Sequence, residues 1–220
     1  MYRLLFFLFL NTYSLFVHAQ SSSEIINAHI KAIGGESNWE KIKTMHVTVS
    51  VVNEDGSKMN IQKRILRNLA LRVDYEIQNR NLSKDNEKYY ITIFGDAGWK
   101  YLPDNANKQI LTLFAPEIKL YKEEFDIEDP FLWHVERKIE LNMIGVEFIN
   151  KVEYFKFVAT YPSGKKILCY LNANTYMLER MLLLESDVDN KKIFEQFEML
   201  KEGIYIPKRM ILNGSVQQIT

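Results

Sequence analysis

Cysteine is nearly absent from this chain of 220 residues, whose single copy, Cys169, excludes a disulfide within the chain. Net charge is absent too, because 28 basic residues balance 28 acidic ones. This balance argues against a nucleic-acid-binding protein, which relies on clustered lysine and arginine. Stability must therefore come from an apolar core, for which the 13 Phe, 12 Tyr and 3 Trp residues provide large side chains.

Compact catalytic signatures are also missing. The chain contains no G-x-S-x-G, H-E-x-x-H, C-x-x-C, Walker or G-x-G-x-x-G motif. His29, His46 and His134 are far apart in sequence, and each is predicted to be an exposed or hydrogen-bonded side chain rather than a metal ligand. We therefore predict no enzyme activity, no catalytic residue, no metal and no cofactor. A hydrolase whose carboxylates meet only in space is the less favoured alternative.

The N-terminal residues 1–19 have the layout of a secretory signal peptide. Arg3 gives a positive start, Leu4 to Leu10 form an apolar run, and a cut is predicted between Ala19 and Gln20. The run is too short to span a bilayer, and no cysteine follows the cut to carry a lipid anchor. We expect an exported, unanchored protein with a single domain at 20–220; a retained N-terminal anchor is the alternative.

The first element after the cut is predicted to be an amphipathic helix. Ser21 and Glu24 have capping-box spacing, and Ile26, Ile30 and Ile33 form one apolar stripe before Gly34-Gly35. The apolar period then changes from 3.6 to 2, which indicates β-strands. A helical insertion of about twenty residues, from Pro116 to Val135, interrupts this pattern.

The predicted fold class is mainly β with a helical lid (α+β). We predict about eleven strands in an antiparallel meander, which is too many for a flat sheet and so should curve strongly. Some strands, such as 152–161 and 177–184, are apolar on both faces. Helices packed on one face and a neighbouring element on the other would explain this, and so would a cavity on the concave face capped by helices.

Four segments carry a resemblance to a known family. The first is EIINAHIKAIGG (24–35) together with EKIKTMHVTVSV (40–51), and the second is RNLALRVDYE (67–76). The third is the hairpin motif GDAGWKYLP (95–103) with Gly98, Trp99 and Pro103, and the fourth is FDIEDPFLW (125–133) followed by the last strands. Together they resemble the LolA-like outer-membrane lipoprotein-sorting proteins of Gram-negative periplasms, in particular the divergent branch found in Bacteroidetes. In that family an Arg-Pro pair occupies the position of Arg67 and Asn68.

The resemblance implies an unclosed, strongly curved antiparallel sheet whose concave face is plugged by helices. It implies a carrier that holds acyl chains of lipids or lipoproteins, with a donor protein in the inner membrane and an acceptor in the outer membrane. A monomer is expected. A lipid-sensing module of the same fold is the alternative function.

The resemblance also implies site residues. The arginine of the family's pair latches the lid, which corresponds to Arg67 here; Arg64 or Arg72 could substitute, because Asn68 replaces the proline. The predicted lid consists of the insertion together with the first helix. Its apolar side chains are expected to fill the empty cavity and to move aside for cargo: Ile118, Tyr121, Phe125, Phe131, Leu132 and Trp133.

Overall fold

The computed structural model describes residues 20–52, 56–78, 87–102, 109–124, 129–184, 191–212 and 215–220. Within these ranges the chain forms three helices: α1 (Ser22–Ala32), α2 (Glu36–Lys41) and α3 (Ala115–Glu124). The longest of them has 11 residues. Each described helix is therefore too short to cross a lipid bilayer.

Helix α1 begins and ends as its sequence predicts. The Ser21 hydroxyl accepts from the Glu24 amide, and the Glu24 carboxylate accepts from the Ser21 amide at 2.8 Å, which completes the capping box. At the other end Gly34 adopts a φ of 109°, and a Cβ placed there would lie 2.2 Å from the carbonyl oxygen of Gly203. Only glycine allows the end of α1 to lie so close to that turn.

The strands form one antiparallel sheet, not closed into a barrel. In chain order they are β1 (Thr44–Val52), β2 (Lys58–Leu66), β3 (Ala70–Gln78), β4 (Glu87–Phe94), β5 (Ala97–Tyr101), β6 (Ile110–Thr112), β7 (Glu140–Ile149), β8 (Val152–Thr160), β9 (Lys166–Asn172), β10 (Leu178–Leu183), β11 (Lys191–Met199), β12 (Tyr205–Leu212) and β13 (Ser215–Ile219). The order across the sheet is β6-β5-β4-β3-β2-β1-β13-β12-β11-β10-β9-β8-β7. The edge strands among the described residues are thus β6 and β7.

The predicted strand count of about eleven is wrong, because the described residues form thirteen strands. The strand most clearly missed is β13, whose sequence SVQQI has no alternation of apolar and polar residues. It forms a strand because it lies between β1 and β12 and pairs with both. Tertiary pairing thus overrides a weak local pattern here.

The sheet consists of two meanders that meet at one junction. Strands β1–β6 form the N-terminal half-sheet and β7–β13 the C-terminal half-sheet, and within each half every strand pairs with its neighbours in sequence. The halves join where β1 pairs with β13, from Val49 opposite Ile219 to Val51 opposite Gln217. Thr48 and Thr220 extend this junction by exchanging two backbone hydrogen bonds, of 2.7 and 2.9 Å.

The helices cover the two half-sheets separately. Ile25 and Ile26 of α1 are buried against β8, β9 and β10 of the C-terminal half, where Ile167, Cys169 and Leu171 share one buried face as predicted. Helix α3 instead packs on β3 and β4 of the N-terminal half. We call the helix-covered side the inner face of the sheet and the opposite side the outer face.

Candidate functional site

Helix α3 covers the N-terminal half-sheet through apolar side chains. Ile118 is 5% exposed and Tyr121 is partly buried, and both pack on one cluster. The other buried members of that cluster come from β3, β4 and the residue after β6: Leu71, Val73, Ile91, Ile93 and Leu113. Pro116 lies in the first turn of α3, as predicted.

Gly98 allows α3 to approach the sheet. A Cβ placed at Gly98 would lie 2.9 Å from Leu113 Cδ1 and 3.3 Å from both Ile118 Cγ1 and Ile93 Cγ1. Such distances leave no room for a side chain unless these neighbours move. The hairpin motif identified in the sequence thus provides the contact surface for α3 at this position.

Polar contacts hold α3 at its ends and along its exposed side. Lys100 Nζ lies 2.6 Å from Glu117 Oε1, and this hydrogen bond raises the pKa of Lys100 and lowers that of Glu117. The Glu123 carboxylate accepts from the Ser163 hydroxyl at 2.7 Å, and Lys122 lies 3.4 Å from Asp96. The Lys100–Glu117 and Lys122–Asp96 pairs are partly solvated, so each adds little to the affinity of α3 for the sheet.

Residues 129–138 form a compact run of turns, which we call the capping loop. It is joined to α1 by a buried pair: His29 is fully buried, and its Nε2 lies 2.7 Å from Asp129 Oδ2. The other ring nitrogen lies 2.7 Å from the carbonyl oxygen of Tyr176. Because both neighbours are acceptors, both nitrogens of His29 donate, and the ring is an imidazolium ion.

The pKa values of this pair follow from its surroundings. Burial lowers the pKa of His29, but the charge and hydrogen bond of Asp129 outweigh it, so that the pKa is raised. Burial raises the pKa of Asp129, but His29 and the amides of Phe131 and Leu132 outweigh it, so that this pKa is lowered. Both shifts favour the charged form of each group, and Asp129 also caps the loop through its 2.8 Å bond from the Phe131 amide.

The three predicted lid residues in the capping loop are held in the core. Phe131 is fully buried in the cluster beneath α1, where its ring lies edge-on to Phe157. Leu132 is fully buried beside Trp39, and Trp133 packs against the same cluster. The predicted insertion is therefore divided between α3, on the N-terminal half-sheet, and the capping loop, which packs with α1.

A cavity of about 650 Å³ lies under α3 between the two half-sheets. Its apolar wall is Ile65, Leu66, Leu69, Ala70, Leu71, Ile93, Ala115, Ile118, Ile139, Tyr161 and Pro162. Its polar residues are Arg67, Asn68, Asp96, Lys119, Lys122, Glu123 and Arg137, which carry four positive charges and two negative ones. The volume is in the range of about 300–1,000 Å³ that is typical of small-molecule sites.

Arg67 lies where the turn between β2 and β3 meets the capping loop. Its guanidinium group donates to the carbonyl oxygen of Trp39 at 2.8 Å and lies over the Trp133 ring at 4.9 Å. Asn68, the next residue, adopts a φ of 60°. Proline cannot adopt this angle, whereas asparagine tolerates it, so the replacement of the family's proline follows from the shape of the turn.

Arg64 and Arg72 lie on the outer face instead. Both donate to the carboxylate of Asp74 at 2.6 Å, and Arg72 lies over the Tyr90 ring. Trp99 is also on the outer face, 40% exposed. Two predicted site residues, Phe125 and Pro103, are outside the described residues.

Comparison with known proteins gives structural neighbours only. No protein-family model and no curated protein matches the sequence. A LolA superfamily protein from Nitrosomonas europaea superposes with a TM-score of 0.51 at 13% identity, over 92% of each chain. This chain has a LolA-like fold.

A second solved structure has a similar arrangement. It is a domain described as an outer membrane lipoprotein-sorting protein, from Vibrio parahaemolyticus, with a TM-score of 0.49 and 14% identity over 90% of this chain and 88% of that one. The LolA-like assignment rests on the Nitrosomonas structure, and it confirms the resemblance found in the sequence and the unclosed antiparallel sheet.

Sequence reasoning missed the buried pair of His29 and Asp129. The sequence predicts only an exposed or hydrogen-bonded side chain for His29, and it indicates no partner at Asp129. Asp129 does cap the following turns, but the pair joins positions 100 residues apart. The only local signal is that His29 lies three residues after Ile26, on the edge of the apolar stripe of α1.

Proposed function

We propose that this protein is a soluble periplasmic carrier that binds acyl chains of lipids or lipoproteins in the cavity under α3. The observation that carries the proposal is the cavity itself, with its apolar wall and its largely positive polar residues. An amphiphile fits this distribution, because its chain needs apolar surface and an anionic headgroup needs cations.

The energetics are sufficient for binding. Each buried methylene contributes about 0.8 kcal/mol, so a chain of about fourteen methylenes contributes on the order of 11 kcal/mol before ordering costs. An apolar wall of this kind must be covered when no cargo is bound, since exposed apolar patches favour aggregation. In this proposal α3 is the cover, with Ile118 and Tyr121 occupying the space that cargo would take.

The lid opens by movement of α3 rather than of the capping loop. Outside its apolar contacts α3 is held near its start by partly solvated ion pairs, such as that of Lys100 with Glu117, which exchange readily with water. Near its end the less exposed Glu123 accepts from Ser163 and pairs with Lys165, so opening must also break these contacts. Phe131, Leu132 and Trp133 do not line the cavity, and its fixed side is formed by Arg137 of the capping loop and by Ile139 next to that loop. Arg67 latches that fixed side to the β2–β3 turn through Trp39 and Trp133.

A cavity-filling variant tests the proposal. Ala115 lies at the start of α3, lines the cavity and is exposed, so Ala115→Trp should occupy the opening without disturbing the core. We expect binding of a fluorescent fatty acid to weaken by at least about tenfold. Native mass spectrometry of the purified wild type should also show a bound amphiphile.

The matched control is Ala97→Trp. Ala97 is exposed in β5 on the outer face, where it does not line this cavity. The control should bind the fatty acid as the wild type does. Equal binding by both variants, or a wild type that takes up no fatty acid, would contradict the proposed site.

A further inference from the structure

An apolar patch lies exposed at one end of the outer face. Three large side chains on the turn after β2 and at the end of β4 are exposed: Leu66 at 39%, Leu69 at 43% and Phe94 at 56%. Phe94 lies opposite Ala70 across the β3–β4 pair, and Ala70 lies opposite Leu66 across the β2–β3 pair. A shallow groove of about 510 Å³ is lined by Leu66, Ala70 and Phe94, and it extends to the neighbouring strand ends. We call Leu66, Leu69 and Phe94 the tip patch.

The row of side chains behind the tip patch is cationic and aromatic. His46, Arg64, Arg72 and Thr92 lie opposite one another on four neighbouring strands, and Trp99 continues the row on β5. This row is two residues further along each strand, which is about 7 Å from the apolar row. The side chains of the outer face thus change from apolar to cationic over about 7 Å, which is close to the depth of a lipid headgroup region.

The arginines of this row are held in place and remain accessible. Arg64 and Arg72 have half-exposed side chains, and both donate to Asp74 in the following row. Lys43, also exposed, adds a further cation at the same end of the sheet. Asp96, in the turn beside Phe94, is paired with Lys122 at 3.4 Å. The positive charges near the patch therefore outnumber the negative ones.

We propose that the tip patch docks on the surface of an anionic lipid bilayer. Interfacial proteins insert apolar side chains about 5–10 Å into the boundary between headgroups and acyl chains, and they place arginine, lysine and tryptophan at headgroup level. The two rows match this layering. A purely apolar protein partner would not require the cationic row, and charge complementarity therefore favours the bilayer.

Docking here would place the mouth of the cavity at the membrane. Leu66 and Leu69 belong both to the tip patch and to the wall of the cavity under α3. An acyl chain could pass between the bilayer and the cavity along these two side chains without crossing bulk water. This inference rests on the proposed carrier function for its purpose, but the docking surface is tested separately.

The experiment is co-sedimentation of the full chain with vesicles of phosphatidylglycerol and phosphatidylethanolamine, and with neutral phosphatidylcholine vesicles. The wild type should bind the anionic vesicles at low salt and weakly at high salt, since screening weakens attraction to charged lipid. Phe94→Glu should bind them at least about tenfold more weakly. The double variant Arg64→Gln with Arg72→Gln should lose the preference for anionic over neutral vesicles.

The matched control is Phe148→Glu. Phe148 is 70% exposed on edge strand β7, ten strands away from β4 across the sheet, and its replacement should leave vesicle binding unchanged. Equal vesicle binding by the wild type and Phe94→Glu overturns the inference. So does a wild-type dimer that dissociates on Phe94→Glu and binds no vesicles, because the patch would then join two copies of this chain.

Fatty-acid uptake separates this inference from the proposed function. Phe94 does not line the cavity under α3, so Phe94→Glu should take up fluorescent fatty acid as the wild type does. Uptake without vesicle binding in the wild type would overturn the docking surface alone. Vesicle binding without uptake would instead overturn the carrier function and leave the docking surface in place.

Discussion

The two half-sheets are covered in different ways. The C-terminal half carries α1 and the capping loop, which are joined through the buried pair of His29 and Asp129. The N-terminal half carries α3, which is held by one apolar cluster around Ile118 and by the partly solvated pairs of Lys100 with Glu117 and Lys122 with Asp96. Glu123 at its end also contacts Ser163 and Lys165 in the turn between β8 and β9. Since a buried pair costs more to break than solvated pairs, the carrier proposal takes α1 with the capping loop as the fixed cover and α3 as the movable one.

The difference indicates which part of the insertion can act as a lid. From its sequence the whole segment from Pro116 to Val135 is a plausible cover, because apolar residues occur throughout it. In the structure α3 lines the cavity through Ile118 and other side chains, whereas Phe131 and Leu132 are fully buried beneath and beside α1 and do not line it. A movable cover and a fixed one thus follow from the partners that each segment finds.

The largest expected effect is on the fixed cover. His29→Ala leaves Asp129 as an uncompensated charge, and we expect the free energy of unfolding to fall by about 3–5 kcal/mol. Urea denaturation measures this change. His46→Ala is the control, because His46 is exposed and its loss should cost less than about 0.5 kcal/mol. A loss below about 1 kcal/mol for His29→Ala would contradict the idea that the buried pair holds α1 and the capping loop firmly in place.

The next effect concerns the contact beneath α3. Gly98→Val forces a side chain toward Leu113 and Ile118, and we expect a loss of about 1–3 kcal/mol. Amide hydrogen exchange should become faster in α3 and stay unchanged in α1. Ala97→Val places a valine on the outer face instead and should change neither the free energy of unfolding nor the amide exchange rates. Faster exchange in α1 after Gly98→Val would show that the two covers are coupled.

The stability of the fixed cover depends on pH. Because the pKa of His29 is raised above 6.5, its stabilisation is complete below that pH and is lost as pH rises through the raised pKa. Because the pKa of Asp129 is lowered below 3.8, its stabilisation is complete above that pH and is lost as pH falls through the lowered pKa. The pair therefore stabilises the fold most between pH 3.8 and 6.5.

This dependence is measured by urea denaturation across pH. The stability difference between wild type and His29→Gln should decrease above pH 6.5 by at most about 1.4 kcal/mol per pH unit. The binding of α3, whose ion pairs are partly solvated, should not follow the same curve. A difference that grows as pH rises above 6.5 would contradict the charged state of the pair.

The smallest expected effect is at the latch. Arg67→Lys keeps the charge but cannot both bond the Trp39 carbonyl and cover the Trp133 ring, so we expect a loss of about 1 kcal/mol. Arg64→Lys, on the outer face, should lower the free energy of unfolding by less, at the lower end of about 0–1 kcal/mol. If Arg64→Lys is the more harmful change, the latch belongs to the outer-face arginines.

Local patterns predicted most of the elements. The capping box at Ser21 and the glycines after α1 fix that helix, and alternation of apolar residues fixes most strands. Proline in the first turn identified α3. These features depend on neighbours within a few residues, which is why they can be read from the sequence without knowledge of the fold.

The remaining features depend on partners far along the chain. Nothing near His29 indicates that Asp129 will be its counter-ion, and nothing in SVQQI indicates that β1 will pair with it. The faces of Arg64, Arg67 and Arg72 follow from strand register and from the turn at Asn68. The sequence therefore predicted the fold and the candidate lid segment, but not which part of that segment is fixed.

The junction of β1 with β13 has a consequence for how the chain folds. Within each half-sheet, strands pair with neighbours in sequence, so each meander can form from local contacts. The junction instead brings Val49 to Ile219, and closing so long a loop is slow compared with forming a hairpin. Assembly of the two halves is therefore the late step. Until then β1 and β13 each have one unpaired edge, so the unjoined halves expose two strand edges on which a second chain could pair.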